Sequence, residues 1–206
     1  MSISALNHDA LFLTVDWTDA PPSRHALIWL RDHDPMGFHP ETGELFFTDN
    51  GADNMGDDSP PEELNRAPRA GLHFGYPYFG GGADRTPQFR NAPLPDATEA
   101  PVATFGAHQA PLGVHHYRGS ALPEEYRRDA FVALHGSWNR SQKAGYKVMR
   151  VRMVGDGNVL GTEVFIDGWL NGATNWGRPV DIDELPDGSM LISDDYGGRI
   201  YRVRGK

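Results

Sequence analysis

The sequence predicts an all-β chain built from similar four-stranded units, the blades of a partial β-propeller. Three observations carry that prediction. Short runs of β-formers recur along the whole chain, and the 24 Gly and 16 Pro among its 206 residues interrupt it too often for long helices. An internal repeat relates MGFHPETGELFFTDN (Met36 to Asn50) to IDELPDGSMLISDD (Ile182 to Asp195): a strand, a turn containing Pro, an acid and Gly, an apolar strand, then Thr or Ser followed by Asp. Between the two copies the strand cadence continues, and units of roughly 40 to 50 residues with four strands are the signature of propeller blades. About three such units fit the chain. A β-sandwich, whose strands return at a similar spacing, is the competing architecture.

Taken in order, Met1 to Asp34 carries no blade signal, so residues 1–35 are read as an atypical N-terminal segment and 36–206 as the propeller part. The expected strands are Glu44 to Asn50, Gly113 to Gly119, Asp129 to Gly136, Tyr146 to Val154, Glu163 to Leu170, Ser189 to Asp195 and Arg199 to Arg204. Turn formers separate several of them: GDGN at Gly155 to Asn158, PDG at Pro186 to Gly188 and YGG at Tyr196 to Gly198. In KVMRVRM neither face is uniformly apolar, so a single buried face is only partly written. One helix is expected, at Leu122 to Asp129, where Pro123 and two acidic residues open the segment. The Pro-rich stretch Ala83 to Ala100 reads as an excursion loop.

Composition narrows the function. At 39% hydrophobic and 23% charged residues, the chain is of the soluble globular class. Nineteen basic against 28 acidic residues give a formal charge of -9 with no basic stripe, which argues against a nucleic-acid partner. No apolar run reaches the roughly 18 residues of a membrane span, and MSISALNHDALFLTVDW lacks the features of a signal peptide. The absence of Cys excludes thiolate catalysis and Cys-ligated zinc.

Four segments could carry chemistry. TDNGADNMGDDSPPEELNR (Thr48 to Arg66) has the oxygen-rich composition of a Ca²⁺ loop without EF-hand spacing, and a solvated blade connection is the other reading. In FGAHQAPLGVHHY (Phe105 to Tyr117), His115 and His116 must point to opposite faces of a strand, while His108 lies in an inter-strand loop that can face a cleft. LHGSWNRSQKAGYK (Leu134 to Lys147) offers His135, Trp138 and Arg140 in a Gly-flanked loop, a set suited to a flat anionic aromatic ligand or to an ordinary hairpin. In NWGRPVDI (Asn175 to Ile182), Arg178 precedes a Pro at the mouth of a strand, with a surface ion pair as its plainer role.

Together and in order, HPETGELFFTDNGADNMGDD, PPEELNRAPRAGLHFGYPY, HQAPLG, HGSWNRS, GRPVDI and PDGSMLISDDYGGRIYRV resemble the soluble glucose/sorbosone (aldose sugar) dehydrogenases that use pyrroloquinoline quinone (PQQ). The resemblance covers Met36 to Arg204. It implies a six-bladed β-propeller, of which this chain holds about three blades, a Ca²⁺ ion that holds PQQ, and oxidation of an aldose at the anomeric carbon to the lactone. It assigns the Ca²⁺-binding carbonyls to Gly51 and Ala52 and cofactor contacts to Arg31, Asp32, Arg140 and Arg178. His108, Gln109 and His135 fall on the substrate cleft. It further implies a small-molecule sugar as partner, and a periplasmic or secreted location for the family.

The chain departs from that pattern in two ways. Asp32 stands where the family has an Asn that donates to PQQ, and a carboxylate there would repel a tricarboxylate. Family members are also about twice as long, and their general-base His lies in an N-terminal half for which Met1 to Asp34 shows no counterpart, so the catalytic base is unassigned. A truncated dehydrogenase, completed by a homo-oligomer or by a separate N-terminal half, and a non-catalytic propeller binding module are the two function classes left open.

Overall fold

A computed structural model describes residues 37–205 with their side chains, together with the backbone of Met36 and of the strands β1 (Ile3–His8), β2 (Phe12–Trp17) and β3 (Ser23–Ala26). Two compact units divide the chain, Met1–Asp34 and Pro35–Lys206. In the first, β1, β2 and β3 form an antiparallel meander with Leu6 opposite Val15 and Leu13 opposite His25. The signal missed there is the alternation in FLTVDW, where Leu13, Val15 and Trp17 interleave with Phe12, Thr14 and Asp16.

The second unit is all β. Strands β4 (Met36–Phe38), β5 (Leu45–Asp49) and β6 (Glu62–Ala67) are followed by the short hairpin of β7 (Phe79–Gly81) and β8 (Asp84–Arg85). The chain then returns through β9 (Ala103–Phe105) to complete a first sheet in the order β4-β5-β6-β9. Strands β10 (Pro111–His116), β11 (Ala130–Leu134), β12 (Lys147–Met153) and β13 (Val159–Ile166) make a second sheet in sequence order. After the small hairpin of β14 (Leu170–Asn171) and β15 (Thr174–Asn175), a third sheet joins β16 (Pro179–Glu184), β17 (Met190–Asp194) and β18 (Arg199–Val203). The repeat read in the sequence is the first strand pair of the outer two sheets, β4-β5 and β16-β17.

The three sheets stand side by side as blades. Strand β10 lies against β4 and β5 on one side and against β16 on the other, and β11 also meets β16. Every residue of β11 is buried, because its alternate side chains serve different interfaces. Ala130, Val132 and Leu134 join Phe46, Leu64, Val114 and Val151 between the first two blades, whereas Phe131 and Ala133 join Tyr117, Trp169, Ile182 and Ile192 between the second and third. Two buried faces explain why KVMRVRM shows no single apolar face: Met149, Val151 and Met153 serve the first interface and Val148 the second. The inner strands approach closely at Gly113, where a Cβ would stand 2.7 Å from the Cα of Asp181.

Two expectations are corrected. Leu122 to Asp129 is no α-helix; only a single 3₁₀ turn forms, Glu124–Tyr126, since Arg127 is already extended and Arg128 has φ 78°. Among the described residues there is no α-helix at all, hence none long and apolar enough to cross a membrane. The polar segment Thr48 to Arg66 is a loop only from Asn50 to Pro61. Its end is β6, whose Glu62 and Glu63 are buried because their carboxylates accept backbone N–H groups of Gly51, Ala110 and Gly82.

His115 and His116 do face opposite ways. His115 Nε2 meets Glu184 of the third blade at 3.4 Å, and His116 packs edge-on against His39 and Phe46 of the first. Burial, reinforced by the neighbouring His39, pushes His116 down to about 3. Its folded pKa is therefore below its unfolded value near 6.5, and the unfolded chain takes up a proton that the folded chain refuses. Stability should fall as pH drops from about 6.5 toward 3, by up to ~1.4 kcal/mol per pH unit. The carboxyls raised by burial, Asp49, Glu62, Glu63 and Asp129, act in the opposite sense at the acid end. Thermal melts at pH 7.5 and 5.0 should thus show a smaller acid loss for His116→Phe than for the unaltered chain, and equal losses would contradict this assignment.

Candidate functional site

Strand register gathers the sequence-predicted residues at one end of the blades. Asp49 pairs with Glu63, Pro111 with Leu134 and Pro179 with Asp194. The connections 50–61, 106–110, 135–146, 167–178 and 195–198 all emerge there, and they carry Gly51, Ala52, His108, Gln109, His135, Arg140 and Arg178. Arg31 and Asp32 lie outside the described residues.

The loop with Gly51 and Ala52 is fixed from below and from the side. Buried Glu62 accepts the Gly51 N–H at 2.7 Å through one oxygen and the Ala110 N–H at 3.2 Å through the other, tying the first blade's loop to the start of β10. Ala52 N–H donates to the Gly80 carbonyl at 2.7 Å. Burial raises the Glu62 carboxyl, although these two donors oppose it. Beside Gly51, Asp49 and Glu63 line a recess of about 20 Å³, enough for one water-sized occupant. Both carboxyls are pushed up by burial.

Arg140 and His108 turn toward the acidic loop. The Arg140 guanidinium donates to the carbonyls of Asp57, Ala107 and Gln142 and to the Asp58 carboxylate. Its neighbours join in: Asn139 donates to Asp53 at 2.7 Å, and the Ser141 N–H to Asp57, whose carboxyl that hydrogen bonding holds below the usual range. His108, at φ 61°, places Nε2 2.7 Å from the Gly56 carbonyl. Loop 53–58 of the first blade is thereby clamped by the second.

Arg178 and His135 form a second cluster between the second and third blades. Arg178 donates from Nε to the His135 carbonyl at 3.1 Å and from Nη2 to the Gly136 carbonyl at 2.6 Å, with its guanidinium 5.7 Å from the Tyr146 ring centre. His135 Nε2 donates to the Asp195 carboxylate at 2.9 Å, which leaves Nδ1 as the acceptor. Sequence reasoning missed Asp194 beside it. Burial would raise that carboxyl, but N–H groups of Arg178 and Gly197 and the Tyr201 hydroxyl outweigh it and hold Asp194 low. The available signal was the repeat itself, which equates Asp49 with Asp194.

These residues fit a hard divalent cation and an anionic cofactor only in part. Gly51 and Ala52 offer neutral backbone oxygens on a fixed loop, of the kind Ca²⁺ accepts, with the carboxyls of Asp49 and Glu63 adjoining. Arg178 keeps Nη1 beyond the two described bonds to carbonyls and suits a carboxylate. Arg140 does not fit, since all three of its nitrogens already donate within the loop clamp. Among the described residues no three His, Cys, Asp or Glu side chains converge on one metal position.

Comparison with known proteins agrees with this fold. The chain is 42% identical over 169 residues to an uncharacterized protein of Borreliella burgdorferi, covering 81% of this chain and 45% of that protein. Its fold matches the calcium structure of the Trichoderma reesei carbohydrate-active enzyme of family AA12 at TM-score 0.67 and 20% identity, over 84% of this chain and 52% of that one. The holo form of the pyranose dehydrogenase PQQ domain from Coprinopsis cinerea matches at TM-score 0.58 and 19% identity, over 82% and 52%. The apo form of the soluble aldose sugar dehydrogenase of Escherichia coli matches at 0.57 and 18%, over 84% and 44%. The chain thus spans about half the length of these relatives, and its fold is that of half a β-propeller. The family model described as TrAA12-like matches residues 82–206, and the chain belongs to that family.

Proposed function

We propose that this chain supplies part of the site of a PQQ- and Ca²⁺-dependent sugar oxidoreductase, which oxidises an aldose at the anomeric carbon to the lactone in a periplasmic or secreted setting. The observation that carries it is that the loop of Gly51 and Ala52, pinned through its N–H groups, and the Arg178 guanidinium stand at the same end of the three blades. When bound, PQQ would supply the two-electron acceptor and Ca²⁺ its Lewis acid. The protein's part is positioning. Gly51 and Ala52 hold the cation, Arg178 orients an anionic group, and Gln109 and His135, the latter fixed in one tautomer by Asp195, meet sugar hydroxyls.

Binding tests this without turnover. Titrating PQQ into the chain with 1 equivalent or more of Ca²⁺ should perturb the cofactor absorbance, and Arg178→Ala should weaken binding by about 10- to 100-fold, as loss of a charge-assisted bond does. A signal indifferent to both Ca²⁺ and Arg178 would favour the non-catalytic binding module instead.

Activity should be absent from the 206 residues alone. The resemblance assigns the general base to the N-terminal half, while among the described residues at this end His108 Nε2 contacts the Gly56 carbonyl and His135, oriented by Asp195, is read as a sugar contact. Loss of a general base alone costs about 10² to 10⁴-fold. Dye-linked oxidation of glucose with PQQ and Ca²⁺ in excess should stay at background and appear when the N-terminal half of a full-length relative is supplied. Turnover by the chain alone that His108→Ala abolishes would overturn this expectation.

A further inference from the structure

A groove of about 430 Å³ runs beside Ala52, between the loop 52–55 and the excursion that carries Tyr76, Pro77 and residues 86–88. None of the residues assigned above except Ala52 lines it. Its volume falls within the roughly 300 to 1,000 Å³ of small-ligand sites. Both walls are preset. The Thr86 hydroxyl donates to the Pro77 carbonyl at 2.6 Å, its N–H to the Tyr78 carbonyl at 3.1 Å, and the Ala52 N–H crosses to the Gly80 carbonyl.

The lining has a definite chemistry. Tyr76 is 71% exposed, so its ring presents an open flat face, with Met55 and Pro87 extending the apolar surface. Asn54 and Gln88 add amides that can donate and accept, and Asp53 adds a carboxylate oriented by Asn139. Among the described residues no Lys or Arg lines the groove, so it offers an anion no cationic partner. Flat apolar faces alternating with planar amide and carboxylate groups match the C–H faces and hydroxyl edges of pyranose rings.

We infer that this groove binds the neutral pyranose units of an oligosaccharide whose terminal unit lies by Gly51 and Ala52. The sugar class rests on the function proposed above, but the groove's affinity does not depend on PQQ. Saturation-transfer NMR and calorimetry on the chain without cofactor, using cellotetraose, maltotetraose and glucose as probes, test it. At least one tetrasaccharide should bind about 10-fold more tightly than glucose, with transfer from aromatic protons. Tyr76→Ala should erase most of that preference and Tyr76→Phe should keep it, while Asn54→Ala with Gln88→Ala should weaken it about 3- to 10-fold. Tyr76 is exposed, so circular dichroism of these variants should match the parent. Equal affinity for tetrasaccharide and glucose, no binding of either tetrasaccharide, or a preference untouched by Tyr76→Ala would overturn the inference. The Ca²⁺-dependent PQQ titration then reports on the cofactor reading separately.

Discussion

The structure depends on one strand being buried on both faces. Strand β11 has no solvent side: Ala130, Val132 and Leu134 pack toward the first blade and Phe131 and Ala133 toward the third. A strand in an ordinary two-layer sheet has one face to satisfy, whereas a middle blade has two, and both neighbours must be present for both cores to close. Burial on this scale dominates local preference, so β12 tolerates the mixed sequence KVMRVRM and the inner strands tolerate close contact only through glycine, at Gly113.

The site inherits that dependence. Glu62 of the first blade holds Ala110 of the second, Arg140 of the second holds the carbonyl of Asp57 in the first, and Arg178 of the third holds carbonyls of His135 and Gly136 in the second. These contacts all cross a blade boundary. Buried Glu62 is the most consequential of these, since a desolvated carboxylate must be met by donors, and the two it finds are the backbone N–H groups of Gly51 in the first blade's loop and of Ala110 at the start of the second blade. Packing and site geometry are one constraint.

What the sequence disclosed follows from the range of each signal. The turn residues of GDGN, PDG and YGG act locally, and β12, β17 and β18 formed close to the expected limits, whereas β13, expected at Glu163 to Leu170, starts directly after GDGN and runs Val159–Ile166. The repeat exposed blade cadence because similar strand pairs recur in β4-β5 and β16-β17. Strand β6 was hidden because EELN is polar, and only tertiary partners, the amides of Gly51, Ala110 and Gly82, make Glu62 and Glu63 buriable. For the same reason Arg140 read as a ligand contact. Its charge and loop position are visible in the sequence, but the carbonyls that occupy it come from a different blade.

Several of the exposed apolar residues fall into two settings, rings in connections and aliphatic or phenyl side chains on strands. Tyr76, Trp138, Trp176 and Tyr196 all sit in connections rather than in sheets, amid loops rich in Asp, Asn and Gly. Rings with a polar handle suit a hydrated, hydroxylated ligand, because they offer stacking without forcing full desolvation. Phe38 and Ile200, 61% and 66% exposed, instead lie on strands of the first and third blades. They have no polar handle and gain only from a dry contact, which on a blade is another sheet. The exposed rings thus lie on hydrated connections, and Phe38 and Ile200 on sheets, where removal from water is the whole gain.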